Sequence, residues 1–77
     1  MKTIYDVQQL LKKFGTIIYI GDRLADLELM EDEIKELYRL QCIGTKEYQE
    51  ALLLLRGEIS RLGRAKGEET NDINNRN

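Results

Sequence analysis

Apolar side chains recur along the chain at spacings of three and four residues, which is the period of an α-helix with one buried face. In the first segment these positions are Ile4, Val7, Leu10, Leu11 and Phe14. In the next two segments they are Leu24, Leu27, Met30, Ile34, Leu37 and Tyr38, then Tyr48, Ala51, Leu52, Leu55, Ile59 and Leu62. The pattern therefore predicts an all-α fold, a small three-helix bundle.

Residues that accept hydrogen bonds from free backbone amides mark where each predicted helix begins. Thr3 can cap the first helix, with Asp6 three residues later as a shorter substitute for the glutamate of a capping box. Asp22 is a suitable cap for the second helix and Thr45 for the third.

Glycines predict where the helices end, because glycine readily adopts the left-handed backbone conformation that closes a helix. Gly15 is placed to end the first helix, Gly44 to end the second after about Ile43, and Gly63 to end the third. We therefore expect a three-helix domain over residues 1–63. The remaining residues, 64–77, are polar and have too few apolar side chains to offset their ordering entropy, so we expect a disordered tail.

The segment TIIYI, residues 16–20, interrupts the helical pattern between two glycines. Its β-branched and aromatic side chains favour an extended strand, but the chain offers no second strand with which it can pair. We expect a buried apolar connector, extended or formed as a single turn, that closes one end of the bundle.

Composition argues against catalysis, and the distribution of apolar residues argues against secretion of the chain and against its insertion into a membrane. The chain has no histidine, one cysteine (Cys42) and one serine (Ser60), so the usual zinc sites and nucleophile pairs are missing. We expect no enzyme activity, no metal and no cofactor, with Cys42 a buried or half-buried apolar side chain. The N-terminus lacks the apolar run of a signal peptide, and no apolar run is long enough to span a bilayer, so we expect a cytoplasmic protein.

Two stretches, YDVQQLLKKFGTIIYIGDR and ELMEDEIKELY, resemble the YqgQ-like family of small bacterial proteins over roughly residues 3–62. The matching positions are Tyr5, Asp6, Gln8, Gln9, Gly15, Tyr19, Gly21, Asp22 and Arg23. This resemblance implies a cytoplasmic three-helix bundle from a family without an established activity. It brings no catalytic residues to carry over, and the polar tail has no counterpart in it.

A candidate ligand surface lies on the side of the first helix opposite its apolar face. An exposed aromatic ring beside amides and cations can stack a base, bind its edge and pair with phosphate. The interpretation without a ligand is that Tyr5 packs over the connector and the glutamines are solvated. The candidate ligand-binding residues are Tyr5, Gln8, Gln9, Lys12, Lys13 and Arg23.

The charge distribution agrees with a basic N-terminal end. Residues 1–21 carry three basic and one acidic side chain, whereas residues 22–43 carry three basic and seven acidic ones. Arg23 begins the second helix, where a positive charge opposes the helix dipole. A pair with Asp26 or Asp6 would compensate it structurally, whereas an anionic ligand would do so functionally.

The acidic second helix offers no metal site by sequence, because a helix spreads its carboxylates around the circumference. Pairs of Glu31 and of Asp32 with Lys35 are the simpler interpretation.

A second candidate surface consists of leucines outside the apolar faces. Leu29 and Leu40 are eleven residues apart, which places them on one side of the second helix about three turns apart. Leu53 and Leu54 belong to a run of four leucines that surrounds the third helix. Small domains often recover missing core by association, so these residues predict a protein partner or a homodimer; ordinary exposed leucines are the alternative.

Two functional hypotheses follow. The leading one is a non-enzymatic binding module for single-stranded RNA or DNA that uses the Tyr5 face. The second is an adaptor that binds a protein partner through the acidic second helix and its Leu29 and Leu40 side chains.

Overall fold

The computed structural model describes the backbone of residues 1–74 and the side chains of residues 1–63. Three helices follow one another along this part of the chain: α1 (Ile4–Lys13), α2 (Arg23–Arg39) and α3 (Thr45–Asn74). Residues 1–74 contain no strand. The predicted all-α three-helix architecture is confirmed.

The core lies between α2 and α3, which pack as an antiparallel pair, and α1 contacts both of them. The pairing direction follows from two contacts: the rings of Tyr38 and Tyr48 stack 4.0 Å apart, and Glu31 pairs with Arg56 farther along α3. The buried apolar side chains are Val7, Leu11, Leu27, Met30, Ile34, Leu37, Ile43, Ala51, Leu52 and Leu55. All three predicted apolar faces therefore meet in one core.

Three apolar residues lie differently from the prediction. Phe14 follows the last residue of α1 and is exposed, because the helix ends before the ring can turn toward the core. Tyr38 is also exposed at the edge of the core, where its ring stacks on Tyr48 and its hydroxyl lies 3.3 Å from that of Thr45. Cys42, predicted to be at least half-buried, is exposed in the turn after α2.

Side-chain caps fix the starts of α1 and α2 as predicted. The Asp6 amide donates to Thr3 Oγ1 and the Thr3 amide donates to Asp6 Oδ2, which completes the capping box. The Ala25 amide donates to Asp22 Oδ2 at 2.9 Å. At the third start the prediction is off by one residue, because Thr45 is already helical and the amide before it donates to the carboxylate of Glu47 instead.

The ends of α1 and α2 use the same hydrogen-bonding pattern. After α1, Gly15 has a φ of +87°, and the Gly15 and Thr16 amides donate to the carbonyls of Lys12 and Leu11. After α2, the corresponding left-handed residue is Gln41, with a φ of +63°. This helix therefore ends at Arg39, earlier than the predicted Ile43, because a glutamine takes the role that the sequence analysis gives to Gly44.

The third helix continues beyond Gly63, where the sequence predicts its end. A single glycine in a helix costs only about 1 kcal/mol, and the following residues include good helix formers and no proline. The predicted disordered tail, 64–77, lies outside the residues whose side chains are described, and its disorder stays a prediction.

The connector between α1 and α2 is extended, as one form of the prediction has it, but it is not buried. Ile17 is 78% exposed and Tyr19 84% exposed, and Ile20 is exposed as well. Only Ile18 among the apolar connector residues packs partly against the core. The prediction of a buried plug is wrong because extended backbone directs Ile17 and Tyr19 to the face opposite Ile18, and no element among the described residues covers that face.

Within the described part of the chain, no helix combines the length and the apolar character needed to cross a membrane.

Candidate functional site

The connector folds back against α1 and encloses a small cavity with it. The Thr16 amide donates to the carbonyl of Leu11 at 2.9 Å, which turns the chain directly after the helix. The cavity is about 170 Å³ in volume, and its lining comes from α1, the connector and one residue of α2: Gln8, Leu11, Lys12, Thr16, Ile17, Ile18 and Met30. Two predicted ligand-binding residues, Gln8 and Lys12, thus lie together at one concave site.

Asp26 anchors the far end of the connector to α2. Its side chain is only 7% exposed, and its Oδ1 atom accepts a 2.7 Å hydrogen bond from the Ile20 amide. A buried carboxylate bound to backbone N–H groups is a strong, charge-assisted contact. We therefore assign Asp26 a positioning role, since it fixes the course of the residues that lead to the cavity.

The sequence analysis does not anticipate this role of Asp26. The available signal is its place on the apolar side of the helical wheel, next to Leu27 and one turn before Met30. A carboxylate at such a position needs a hydrogen-bond partner when it is buried, and here a backbone amide of the connector supplies it.

Two exposed tyrosines lie on the two segments, α1 and the connector, that supply most of the cavity lining. Tyr5, which is 64% exposed, lies one turn before Gln8 on the same side of α1. Tyr19 follows the cavity residue Ile18 and directs its ring away from the core. The prediction that Tyr5 lies off the core face is confirmed, whereas Tyr19 is an aromatic member of this surface that the sequence analysis placed in a buried plug.

The basic character of this end is largely uncompensated by acidic side chains. Lys12 and Lys13 are exposed on the last turn of α1. The one acidic residue of this helix, Asp6, is committed to the cap, where amide hydrogen bonds from Lys2 and then Thr3 lower the pKa of its carboxyl group. The carboxylate therefore stays charged but satisfied at neutral pH.

Arg23 is exposed, but it pairs with neither of the two predicted carboxylates. Asp26 binds the Ile20 amide and Asp6 binds amides of its own cap, so neither has turned toward the guanidinium. Arg23 lies instead near Glu58 of α3, whose pKa is lowered first by its hydrogen bond with Arg61 and also by the charge of Arg23. Arg23 is not among the residues that line the cavity.

Gln9 and Lys13 complete the predicted set but lie outside the cavity. Both are exposed to solvent on α1. Gln8 and Gln9 are adjacent and chemically identical, yet only Gln8 borders the connector. Sequence reasoning grouped them because it had no means to tell on which side of α1 the connector returns.

The leucines of the second candidate surface are exposed at separate places. Leu29 is 42% exposed on α2, and Leu40, the residue that directly follows this helix, is 55% exposed. Leu53 is exposed on α3, whereas Leu54 is half-buried against the core. Glu31, which contacts Arg56 near Leu53, is about 200° around the helix from Leu29. The leucines of α2 and Leu53 therefore do not form one continuous surface.

Two acidic residues of α2, Glu31 and Glu36, form ion pairs with cations of the described part of the chain. Glu31 pairs with Lys35 at 2.9 Å, as predicted, and also with Arg56 at 3.3 Å. Burial opposes ionisation of Glu31, but the contacts with these two cations outweigh it and lower its pKa. Asp32 has no such pair with Lys35. Among the described residues, no cluster of three or more histidine, cysteine or acidic side chains can hold a metal ion.

Comparison with known proteins places the chain among relatives that carry no described activity in their names. The model of the YqgQ-like family matches residues 1–61. A protein of Bacillus subtilis (strain 168) called "Uncharacterized protein YqgQ" is 51% identical over 59 residues, which cover 77% of this chain and 83% of that protein. The matched region contains the cavity, Tyr5, Tyr19 and the anchoring aspartate.

Proposed function

The chain belongs to the YqgQ-like family, and we propose that it is a non-enzymatic, cytoplasmic binding module for single-stranded RNA or DNA. The observation that carries this proposal is the exposure of two rings, Tyr5 on α1 and Tyr19 on the connector, the two segments that together with Met30 line a concave site bordered by Lys12. Helix α1 contributes one ring, that of Tyr5. The connector adds a second ring, that of Tyr19, and forms the cavity together with α1.

Exposed aromatic rings provide the stacking part of such a surface. Base stacking on an aromatic side chain contributes about 1–3 kcal/mol per base and tolerates every base, because each has a flat π-face. Unpaired strands offer these faces, whereas the bases of a duplex are stacked on one another. Tyr5 and Tyr19 therefore favour a single strand over a duplex.

Cations beside the rings provide the electrostatic part. Lys12 and Lys13 are exposed next to the connector, and Lys2 lies at the start of the same segment. The acidic residue Asp6 is already bound by two amides. A phosphate that approaches this end therefore meets ammonium groups at neutral pH, although the net charge of the whole chain is −2.

The test is fluorescence anisotropy with fluorescein-labelled single-stranded RNA and DNA at low and moderate salt. We expect saturable binding at micromolar protein. The affinity should fall as salt rises: for each phosphate contact, log Kd should increase by about 0.7 per log unit of salt. Tyr5→Ala and Lys12→Ala should both weaken binding. Lys46→Ala, which removes an exposed lysine from the start of α3, is the matched control and should leave the affinity nearly unchanged.

An absence of salt-sensitive binding by the folded wild-type protein would reject this proposal. Equal losses for Lys12→Ala and Lys46→Ala would reject the assignment of the surface, because binding would then follow net charge alone.

A second candidate function is an adaptor that docks a protein partner, or a second copy of this chain, through Leu29 and Leu40. It is favoured by the exposure of Leu29 on the strongly acidic helix α2 and of Leu40 directly after it. Leu29→Glu should then abolish capture of a partner and shift any dimer seen by sedimentation equilibrium to monomer. The control Leu53→Glu adds the same charge at a separate place, and the adaptor proposal fails if both variants behave alike.

A further inference from the structure

We propose that the cavity between α1 and the connector receives one unpaired nucleobase, and that the side-chain amide of Gln8 reads the edge of that base. The inference rests on the proposed function and adds base selectivity to it. Stacking on Tyr5 and Tyr19 alone would hold any sequence, whereas a hydrogen-bonded base makes the affinity depend on its identity.

The shape and lining of the cavity suit a flat group with a polar edge. Its apolar lining comes from Leu11, Ile18 and Met30, and its polar border from Gln8, Lys12 and Thr16. Sites for drug-sized ligands are about 300–1,000 Å³, whereas this cavity is about 170 Å³. It therefore suits one ring system of a strand whose remaining nucleotides lie outside.

Gln8 has free hydrogen-bonding capacity toward this space. Among residues 1–63, no hydrogen bond engages its side-chain amide, although the residue is half-buried at the cavity. An amide offers donors and an acceptor side by side, which is the pattern found along base edges. A base in the cavity would satisfy groups that have no protein partner in the described residues.

Charge complementarity identifies the occupant as part of a nucleic acid rather than a neutral apolar side chain. Lys12 borders the cavity and Lys13 follows it on the exposed side of α1. A base that enters from solvent keeps its phosphate outside, within reach of these ammonium groups. The exposed rings of Tyr5 on α1 and Tyr19 on the connector can then stack neighbouring bases of the same strand.

The chain offers a matched pair of variants for the test, Gln8→Leu and Gln9→Leu. Both exchange an amide for an apolar group of similar size at consecutive positions of one helix, but only Gln8 lines the cavity. The readout is anisotropy with labelled homo-octamers of dA, dC and dT and their RNA counterparts. Thermal unfolding followed by circular dichroism checks that each variant is folded, and Gln8→Met repeats the test if Gln8→Leu is not.

We expect the wild-type protein to bind the best octamer roughly tenfold more tightly than the worst, which is the scale of one good base contact. Gln8→Leu should reduce this spread to within about threefold, while Gln9→Leu keeps it. An equal spread in wild type and Gln8→Leu would overturn the base-reading role and leave the proposed function standing. No binding of any octamer by the wild type would overturn both.

Discussion

The two loops of the bundle begin alike and both expose apolar residues, but they differ in how far their isoleucines are buried. Each follows a helix with a left-handed residue, Gly15 in the connector and Gln41 in the turn after α2. The short turn, residues 40–44, buries its one isoleucine, Ile43, and exposes Leu40 and Cys42. The connector, residues 14–22, has three isoleucines and a tyrosine, yet only Ile18 of these packs partly against the core.

This contrast teaches that the apolar residues of the connector contribute little to folding. A small domain gains most of its stability from buried apolar area. Because Ile17 and Tyr19 are exposed, their side chains add little to the stability of the folded state. Large exposed apolar groups beside a concave site are typical of interaction surfaces. We therefore interpret the turn as a folding element and the connector as a binding element held in place by Asp26.

The largest effect is expected in the turn. Ile43→Ala should lower the free energy of unfolding by about 2–5 kcal/mol, because a buried isoleucine leaves a cavity when it is truncated. Urea unfolding followed by circular dichroism measures the change. A loss below about 1 kcal/mol would mean that the turn, like the connector, adds little to the core.

The second-largest loss of stability is expected for Asp26, which anchors the connector. Asp26→Ala removes the carboxylate that accepts from the Ile20 amide, and hydrogen bonds to charged groups contribute about 1.5–3 kcal/mol. We expect a loss of that order in urea unfolding. Asp26→Asn keeps an oxygen at the same place and should lose less. Equal losses for the two variants would show that the charge, and not the hydrogen bond geometry, stabilises the site.

The left-handed residues should respond in opposite directions. Glycine adopts positive φ without strain, whereas other residues pay roughly 1–2 kcal/mol. Gly15→Ala should therefore destabilise the protein by about 1 kcal/mol, and Gln41→Gly should stabilise it by a similar amount. Melting temperatures of the two variants test this pair, and a lower melting temperature for Gln41→Gly would contradict it.

The smallest effect on stability is expected for the outer face of the connector. Ile17→Ala and Tyr19→Ala should change the free energy of unfolding by less than about 0.5 kcal/mol, since surface substitutions away from packed features rarely do more. The same urea titration applies. A loss of 2 kcal/mol or more would show that these side chains are packed in solution.

Much of the fold could be predicted because helical spacing and caps act locally. Periodicity alone predicts the burial of Val7, Leu27 and Leu55, and side-chain chemistry predicts Thr3 and Asp22 as caps. The sequence does not predict the end of α2, because Gln41 adopts a left-handed backbone conformation that usually belongs to glycine.

The candidate site was only partly predictable because it depends on tertiary placement. The exposure of Tyr5 followed from the helical wheel. The separation of Gln8 from Gln9, however, depends on the side of α1 along which the connector returns. The role of Asp26 likewise depends on a contact across the α1–α2 connection. The apolar composition of TIIYI predicts that the segment is buried. The sequence does not show whether another element is available to cover it.

One comparison tests most directly whether the connector is a binding element: oligonucleotide affinity and unfolding free energy measured together for wild type and Tyr19→Ala. Tyr19 is 84% exposed, so we predict an unchanged unfolding free energy and an affinity about fivefold or more weaker, as expected for one lost stacking contact. An unchanged affinity with unchanged stability would contradict the account, because the most exposed ring of the connector would then serve neither binding nor folding.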